Sequence, residues 1–110
     1  RDYVHVQDLA RAHVGALALD TGEPFQAFNL GTGRGRSVRE VVTAVERVTG
    51  RPVPVTTGPR RPGDPPMLVA RPDRAREAMG FAPAWPDLEP IVETAVRWRR
   101  DHPHGYAGGQ

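Results

Sequence analysis

A proline-rich loop carries the residues of this 110-residue sequence that are best suited to chemistry. It runs from position 57 to 66 and places Arg60 and Arg61 side by side, with Asp64 three residues after Arg61. Its four prolines restrict φ and lower the entropy of the loop, while Gly63 permits a turn that a side chain would hinder. A loop held in this way can present Arg61 as a planar fork to two phosphate oxygens.

Asp64 adds a second kind of contact to the same loop. A carboxylate accepts hydrogen bonds from a vicinal diol, as acidic residues do for ribose hydroxyls in nucleotide sites. An arginine for an anion and a carboxylate for a diol, at this separation, indicate a nucleotide diphosphate. The alternative is a solvated loop with an Arg–Asp surface pair, because most exposed charge clusters only face solvent.

The composition excludes several kinds of function. All fifteen basic residues are arginine, and the sequence contains neither lysine nor cysteine. The missing lysine excludes Schiff-base chemistry and a Tyr-Lys proton relay within this chain, and the missing cysteine excludes disulfides and thiolate metal sites. A cysteine-free chain also favours a reducing, cytoplasmic location.

Charge and hydropathy limit the partners. The net charge is +2, but the arginines are interleaved with acidic residues and do not alternate with aromatics, so we expect no nucleic-acid partner. No apolar run approaches membrane-spanning length, so we expect no membrane partner either.

Helical periodicity and capping signals predict four helices. A capping box at Ser37 and Glu40 begins the clearest of them, and Gly50 ends it. The predicted helices are residues 9–19 with Asp8 as the cap, residues 38–49, residues 73–79 between Pro72 and Gly80, and residues 88–101 with Asp87 as the cap.

Short apolar runs predict strands at residues 25–30 and 53–57, and extended segments at residues 1–6 and 67–70. The fold class expected from this order is α/β, with the helices packed on a few short strands. The glycines at 31, 33 and 35 precede a helix, so a phosphate-binding loop is conceivable, but their spacing matches no nucleotide fingerprint and favours a plain turn. We also expect a turn at residues 21–24 and a frayed tail at residues 106–110.

Five motifs, in this order along the chain, resemble the C-terminal, substrate-binding lobe of the UDP-glucose (UDP-galactose) 4-epimerase family. Members of that family are extended short-chain dehydrogenases/reductases (SDRs). Each motif alone is weak, but together they cover essentially the whole chain. They are Arg1-Asp2-Tyr3-Val4-His5-Val6-x-Asp8-Leu9-Ala10, Asn29-Leu30-Gly31-Thr32-Gly33, Ser37-Val38-x-Glu40-Val41, Arg61-Pro62-Gly63-Asp64 and His102-Pro103-x-Gly105-Tyr106.

The resemblance implies roles for five residues in binding a UDP-sugar. In the family, the arginines that match Arg1 and Arg61 bind the UDP diphosphate, and the acid that matches Asp64 binds the uridine ribose. Tyr3 either lines the same pocket or packs as a strand residue. Leu68, four residues after the loop acid, is placed near the substituent on hexose C2.

The resemblance also implies an activity for the enzyme of which this sequence would be a piece. That enzyme interconverts UDP-galactose and UDP-glucose through an NAD-dependent 4-keto intermediate. The sequence begins with Arg1, so we expect a single UDP-sugar-binding domain over residues 1–110 that lacks the N-terminal NAD-binding Rossmann domain. We therefore assign no catalytic, cofactor-binding or metal-binding residue here. The isolated piece should be inactive and prone to self-association, and the intact enzyme a homodimer.

Two alternative functions fit the same residues. One is a piece of another NAD-dependent nucleotide-sugar enzyme, such as a 4,6-dehydratase or a UDP-glucuronate decarboxylase. The other is a non-catalytic nucleotide-binding module. The first and last of the five motifs favour the epimerase over the other enzymes.

Overall fold

The computed structural model describes residues 1–19 and 22–106, which contain four helices. They are α1 (Val6–Leu17), α2 (Val38–Thr49), α3 (Asp73–Met79) and α4 (Leu88–Asp101). Helix α2 packs against α4, and α1 packs against α3. The turn expected at residues 21–24 and the tail expected at residues 106–110 lie partly outside the described residues.

Helix α2 begins and ends as its sequence predicts. The Ser37 hydroxyl accepts a hydrogen bond from the Glu40 backbone N–H at 3.1 Å, and the Glu40 carboxylate accepts one from the Ser37 N–H at 2.7 Å. Gly50 follows the helix with a φ of 66°, the left-handed conformation that glycine adopts at little cost. The capping box and the glycine stop are therefore both confirmed.

The bounds of α3 and α4 are confirmed as well, but the cap predicted for α4 is wrong. Asp87 stands at the N-cap position without a side-chain capping hydrogen bond. Its carboxylate instead accepts a hydrogen bond from Arg34 at 3.3 Å. A cationic partner from another segment has displaced the local backbone N–H as the donor to this carboxylate.

The predicted start of α1 is also wrong. The helix begins at Val6, and His5 is its N-cap, with Nδ1 accepting a hydrogen bond from the Gln7 N–H at 3.0 Å. Asp8 lies inside the first turn, and none of its surface is exposed. The sequence signal failed because a carboxylate near a helix start can bind donors from elsewhere in the fold.

The few short strands expected from the sequence are not found in residues 1–19 and 22–106. A strand needs a neighbouring strand for its N–H and C=O groups, and an alternating pattern does not supply one. In one place two extended segments do pair: Arg1 and Arg36 exchange backbone hydrogen bonds, both 2.7 Å long. The α/β assignment is thus replaced by four helices joined by extended segments.

The described residues bury little apolar surface. The buried apolar side chains are Ala12, Ala44, Ala75, Phe81 and Val92. Phe28, Leu30 and Met79 pack around the cluster between α1 and α3. The radius of gyration is 17.1 Å, against about 13 Å expected for a globular domain of this length, so the chain is elongated. With so small a core, polar side chains must hold the extended segments in place.

Candidate functional site

Asp64 joins two arginines that are far apart in sequence. Its Oδ1 accepts a hydrogen bond from Arg1 Nη2 at 3.1 Å, and its Oδ2 accepts one from Arg61 Nη2 at 3.2 Å. The side chains of Arg1 and Asp64 are about one-third exposed (36% and 38%), whereas that of Arg61 is 85% exposed. The structure therefore brings together three of the residues predicted to bind a nucleotide.

Two further contacts shape this cluster. Arg1 Nη1 donates to the Pro65 carbonyl at 2.9 Å, and Arg60 Nη2 donates to the Asp64 carbonyl at 3.3 Å. Three guanidinium groups and one carboxylate leave the cluster with two positive charges. Each guanidinium has five N–H donors, and each carboxylate oxygen has a second acceptor site, so the cluster retains capacity for a phosphate and a hydroxyl.

A turn within the proline-rich loop orients Arg61 and Asp64 toward each other. Gly63 has a φ of 80°, a conformation that side chains disfavour, and the Asp64 N–H lies 3.4 Å from the Arg61 carbonyl. The predicted glycine turn is confirmed. It explains why an arginine and a carboxylate three residues apart can form a pair outside a helix.

Tyr3 and Leu68 flank this cluster in sequence without joining its hydrogen bonds. Tyr3 is half-buried, and within the described part of the chain its hydroxyl makes no hydrogen bond. Leu68 is 61% exposed and lies between two anchored residues, Asp64 and Ala70. The assignments of Arg1, Tyr3, Arg61, Asp64 and Leu68 to substrate binding stay predictions.

Asp2 is the structural residue that sequence reasoning missed. Its Oδ1 accepts hydrogen bonds from the Thr32 N–H at 3.0 Å and the Thr32 hydroxyl at 2.6 Å. Its Oδ2 accepts from the N–H groups of Gly33 at 2.9 Å and Ala70 at 3.3 Å. Partial burial raises the pKa of the Asp2 carboxyl, but these hydrogen bonds lower it by more, so the pKa lies below its ordinary 3.8. Asp2 is therefore an anion at neutral pH.

The glycine turn before α2 is occupied by this carboxylate. The N–H groups of Thr32 and Gly33, which a phosphate-binding loop would direct at its ligand, point at Asp2. The predicted plain turn is thus favoured over a phosphate loop. The signal that would have found Asp2 is the turn itself, because its N–H groups need an acceptor and an internal carboxylate can supply one.

A second carboxylate, Asp8, fixes a different part of the fold. Its oxygens accept hydrogen bonds from the N–H groups of Ala84 at 2.9 Å and Trp85 at 3.1 Å, and Arg11 pairs with it at 3.0 Å. Trp85 stacks on His5 with ring centroids 4.8 Å apart. His5 is buried and hydrogen-bonded to Thr94 at 2.8 Å, so its role in the fold is structural.

A cleft of about 740 Å³ lies between α2 and α4, and none of the residues of the arginine cluster lines it. Two ion pairs lie within its lining, Arg36–Glu40 at 3.4 Å and Arg47–Glu89 at 2.9 Å. The lining has three arginines and three acidic residues, so it lacks the excess positive charge of the cluster around Asp64. We therefore place the candidate site at the cluster and not at this cleft.

No helix in residues 1–19 and 22–106 is long and apolar enough to cross a bilayer.

Comparison with known proteins gives a consistent relationship at the level of sequence. No protein-family model matches the chain. The UDP-glucose 4-epimerase of Lacticaseibacillus casei is 48% identical over 107 residues, which are 96% of this chain and 32% of that protein. The chain thus spans about a third of the length of the curated relatives it matches.

Solved structures agree with this relationship. The UDP-glucose 4-epimerase from Brucella ovis, solved in complex with NAD, matches with a TM-score of 0.79 and 52% identity over 88% of this chain and 30% of that one. The UDP-glucose 4-epimerase from Stenotrophomonas maltophila was solved with bound NAD and formylated UDP-arabinopyranose. It matches with a TM-score of 0.84 and 39% identity over 94% of this chain and 31% of that one. The chain is therefore homologous, over nearly its whole length, to the C-terminal third of UDP-glucose 4-epimerases.

Proposed function

We propose that this chain is the UDP-sugar-binding lobe of a UDP-glucose 4-epimerase, which interconverts UDP-galactose and UDP-glucose. The observation that carries the proposal is the convergence of Arg1 and Arg61 on Asp64. Together with Arg60 they form an exposed cluster of net positive charge that suits a diphosphate dianion. The homology to UDP-glucose 4-epimerases supports the same substrate class.

Within this lobe, Arg1 and Arg61 bind the diphosphate and Asp64 binds the uridine ribose. Both oxygens of Asp64 already accept one arginine N–H, and each can accept a ribose hydroxyl as well. The arginines thereby fix the orientation of the carboxylate that reads the ribose. Binding energy from this remote part of the substrate holds the hexose in place while its C4 reacts.

NAD belongs to a part of the protein outside these residues. When bound, it accepts and returns the hydride of the sugar C4 carbon. The glycine turn before α2 does not fit the NAD pyrophosphate, because its N–H groups are engaged by Asp2. We therefore expect the NAD-binding domain in the two thirds of the relatives' length that this chain does not span.

Three further properties remain predictions. The full-length enzyme is expected to be a homodimer in the cytoplasm. The isolated lobe is expected to self-associate, since Val14 and Leu17 on α1 are 68% and 88% exposed. Sedimentation of the isolated chain at several concentrations measures this tendency, and a monomer at every concentration would contradict it.

Turnover tests the proposed function directly. The full-length protein should convert UDP-galactose to UDP-glucose, whereas the isolated chain should show no turnover at any concentration of NAD, because it carries no base and no cofactor site. Turnover of a different nucleotide sugar by the full-length protein, without epimerisation, would favour the dehydratase or decarboxylase alternative. UDP binding without any turnover would favour a binding module.

Leu68 is proposed to face the substituent on hexose C2. Overpacking a pocket costs about 1–3 kcal/mol, which corresponds to a roughly ten- to hundredfold change in selectivity. Leu68→Ala should therefore raise activity on UDP-N-acetylglucosamine relative to UDP-glucose, and Leu68→Tyr should abolish it. The measurement is the ratio of kcat/KM for the two substrates.

Met67→Ala is the matched control for this series. Met67 is the neighbouring apolar residue and is 74% exposed, and a change there should leave the ratio as it is. A ratio that stays flat across alanine, leucine and tyrosine at position 68 would show that Leu68 does not face the sugar.

A further inference from the structure

We propose that Asp2 is a positioning residue of the nucleotide site, which holds the segment that carries Asp64 and Leu68 against Arg1. The inference rests on the proposed function, since it concerns the same site. Within the described residues, the Asp2 carboxylate makes no hydrogen bond or ion pair with the arginine cluster. It acts through Thr32, Gly33 and Ala70, whose donors it accepts.

The segment from Asp64 to Ala70 is held at both ends by two consecutive residues. At one end, the Arg1 guanidinium binds the Asp64 carboxylate and the Pro65 carbonyl. At the other end, the Asp2 carboxylate accepts the Ala70 N–H at 3.3 Å. Because Arg1 and Asp2 are neighbours, one short stretch of chain supplies both anchors through its side chains. Leu68 lies in the span between them.

The two anchoring residues are themselves fixed to the turn before α2. The backbone of Arg1 exchanges two hydrogen bonds with Arg36, and the Asp2 side chain binds Thr32 and Gly33. Asp2 therefore joins three segments that are separate in sequence: its own, the glycine turn and the end of the substrate loop. Few buried apolar contacts exist to replace this connection.

Gly31 makes the close approach possible. A Cβ atom built on Gly31 would lie 2.5 Å from Asp2 Oδ2 and 2.5 Å from the Ala70 Cβ. Neither neighbour is the free end of a flexible side chain, because Asp2 is held by four hydrogen bonds and the Ala70 Cβ is attached to the backbone. Any side chain at position 31 must therefore push Asp2 and Ala70 apart.

The contacts also explain why an aspartate is required. All four partners of the carboxylate are donors, two on each oxygen. An asparagine offers one acceptor oxygen and one NH₂ group, so it would face two of these donors with a donor of its own. Asp2→Asn thus removes two hydrogen bonds with almost no change in volume, and it leaves the guanidinium groups of the site intact.

The test compares Asp2→Asn with Asp8→Asn in the full-length protein. Asp8 is the matched control, because it is also a carboxylate that accepts backbone N–H groups, but it binds residues 84 and 85 instead of the substrate loop. UDP is titrated by calorimetry, and the melting temperature of each variant is measured alongside. Asp2→Asn should raise the Kd for UDP about tenfold or more, because the loop is then no longer pre-organised for binding. Asp8→Asn should lower the melting temperature and leave the Kd of the folded protein within about twofold of the wild type.

Gly31→Ala provides a second variant that alters no polar group. It should raise the Kd for UDP as Asp2→Asn does, because it forces Asp2 and Ala70 apart. The inference is overturned if Asp2→Asn and Gly31→Ala both bind UDP with the wild-type Kd. It is also overturned if Asp8→Asn raises the Kd as much as Asp2→Asn.

NMR separates this inference from the proposed function. If the wild-type protein itself does not bind UDP, the proposed function fails. The chemical shifts of the Arg1 guanidinium and the Leu68 methyl groups then show whether Asp2 positions the segment from Asp64 to Ala70. Both should move in Asp2→Asn and stay unchanged in Asp8→Asn. Unchanged shifts in Asp2→Asn would show that Asp2 does not position the segment.

Discussion

Arg61→Ala is expected to weaken UDP binding by the full-length protein by roughly 1.5–3 kcal/mol, the range for a lost hydrogen bond to a charged group. Arg61 is 85% exposed and pairs only with Asp64 within the described residues, so its removal should leave the fold unchanged. The loss should fall on the diphosphate: binding of uridine, which has no phosphate, should change little. Calorimetric titration with UDP and with uridine separates the two.

Arg71→Ala is the control for that substitution. Arg71 is another highly exposed arginine, ten residues along the chain, whose recorded ion pair is a 4.0 Å contact with Asp73. It has no contact with Asp64, so its removal should leave UDP affinity unchanged. Equal affinities for Arg61→Ala and the wild type would reduce the arginine cluster to a surface ion pair.

Asp8→Ala is expected to be the most destabilising single substitution considered, at about 2–4 kcal/mol in the free energy of unfolding. The Asp8 side chain is fully buried, and its loss leaves the N–H groups of Ala84 and Trp85 without their acceptor. Each unsatisfied buried donor costs about 1–3 kcal/mol. Trp85 would also lose the anchor that holds it against His5. Denaturant unfolding of the full-length protein measures the effect.

Asp87→Ala gives the matched comparison. Asp87 also stands beside a helix start, but its side chain is 64% exposed and makes one 3.3 Å contact with Arg34. Its removal should change stability by no more than about 0.5 kcal/mol, as is usual for surface positions. Similar losses for Asp8→Ala and Asp87→Ala would show that the buried carboxylate has no special part in the fold.

Local sequence signals were sufficient to predict most of the helix ends. The capping box of α2, its terminal glycine and the glycine after α3 act within four residues, so the sequence alone reveals them. The turn at Gly63 is also a local feature, and it places Arg61 beside Asp64. These features depend on neighbours in the chain and on little else.

Local patterns do not predict contacts between distant segments, and only the family resemblance implied that Arg1 lies near Asp64. Arg1 reaches Asp64 across 63 positions, and Asp8 reaches Ala84 across 76. The sequence predicts Asp8 as a cap because a carboxylate near a helix start can accept the local N–H groups. Its actual donors lie in another segment. The predicted strands are wrong for a related reason, since an alternating pattern describes one segment but not the neighbour with which it must pair.

The measurement that most directly tests the binding of UDP by the Asp64 cluster is an NMR titration of the labelled full-length protein with UDP. The guanidinium signals of Arg1 and Arg61 and the amide of Asp64 should show the largest shifts and saturate together at one Kd. Shifts confined to the cleft between α2 and α4, around Arg36 and Arg47, or no saturable shifts at the cluster, would contradict the proposed site.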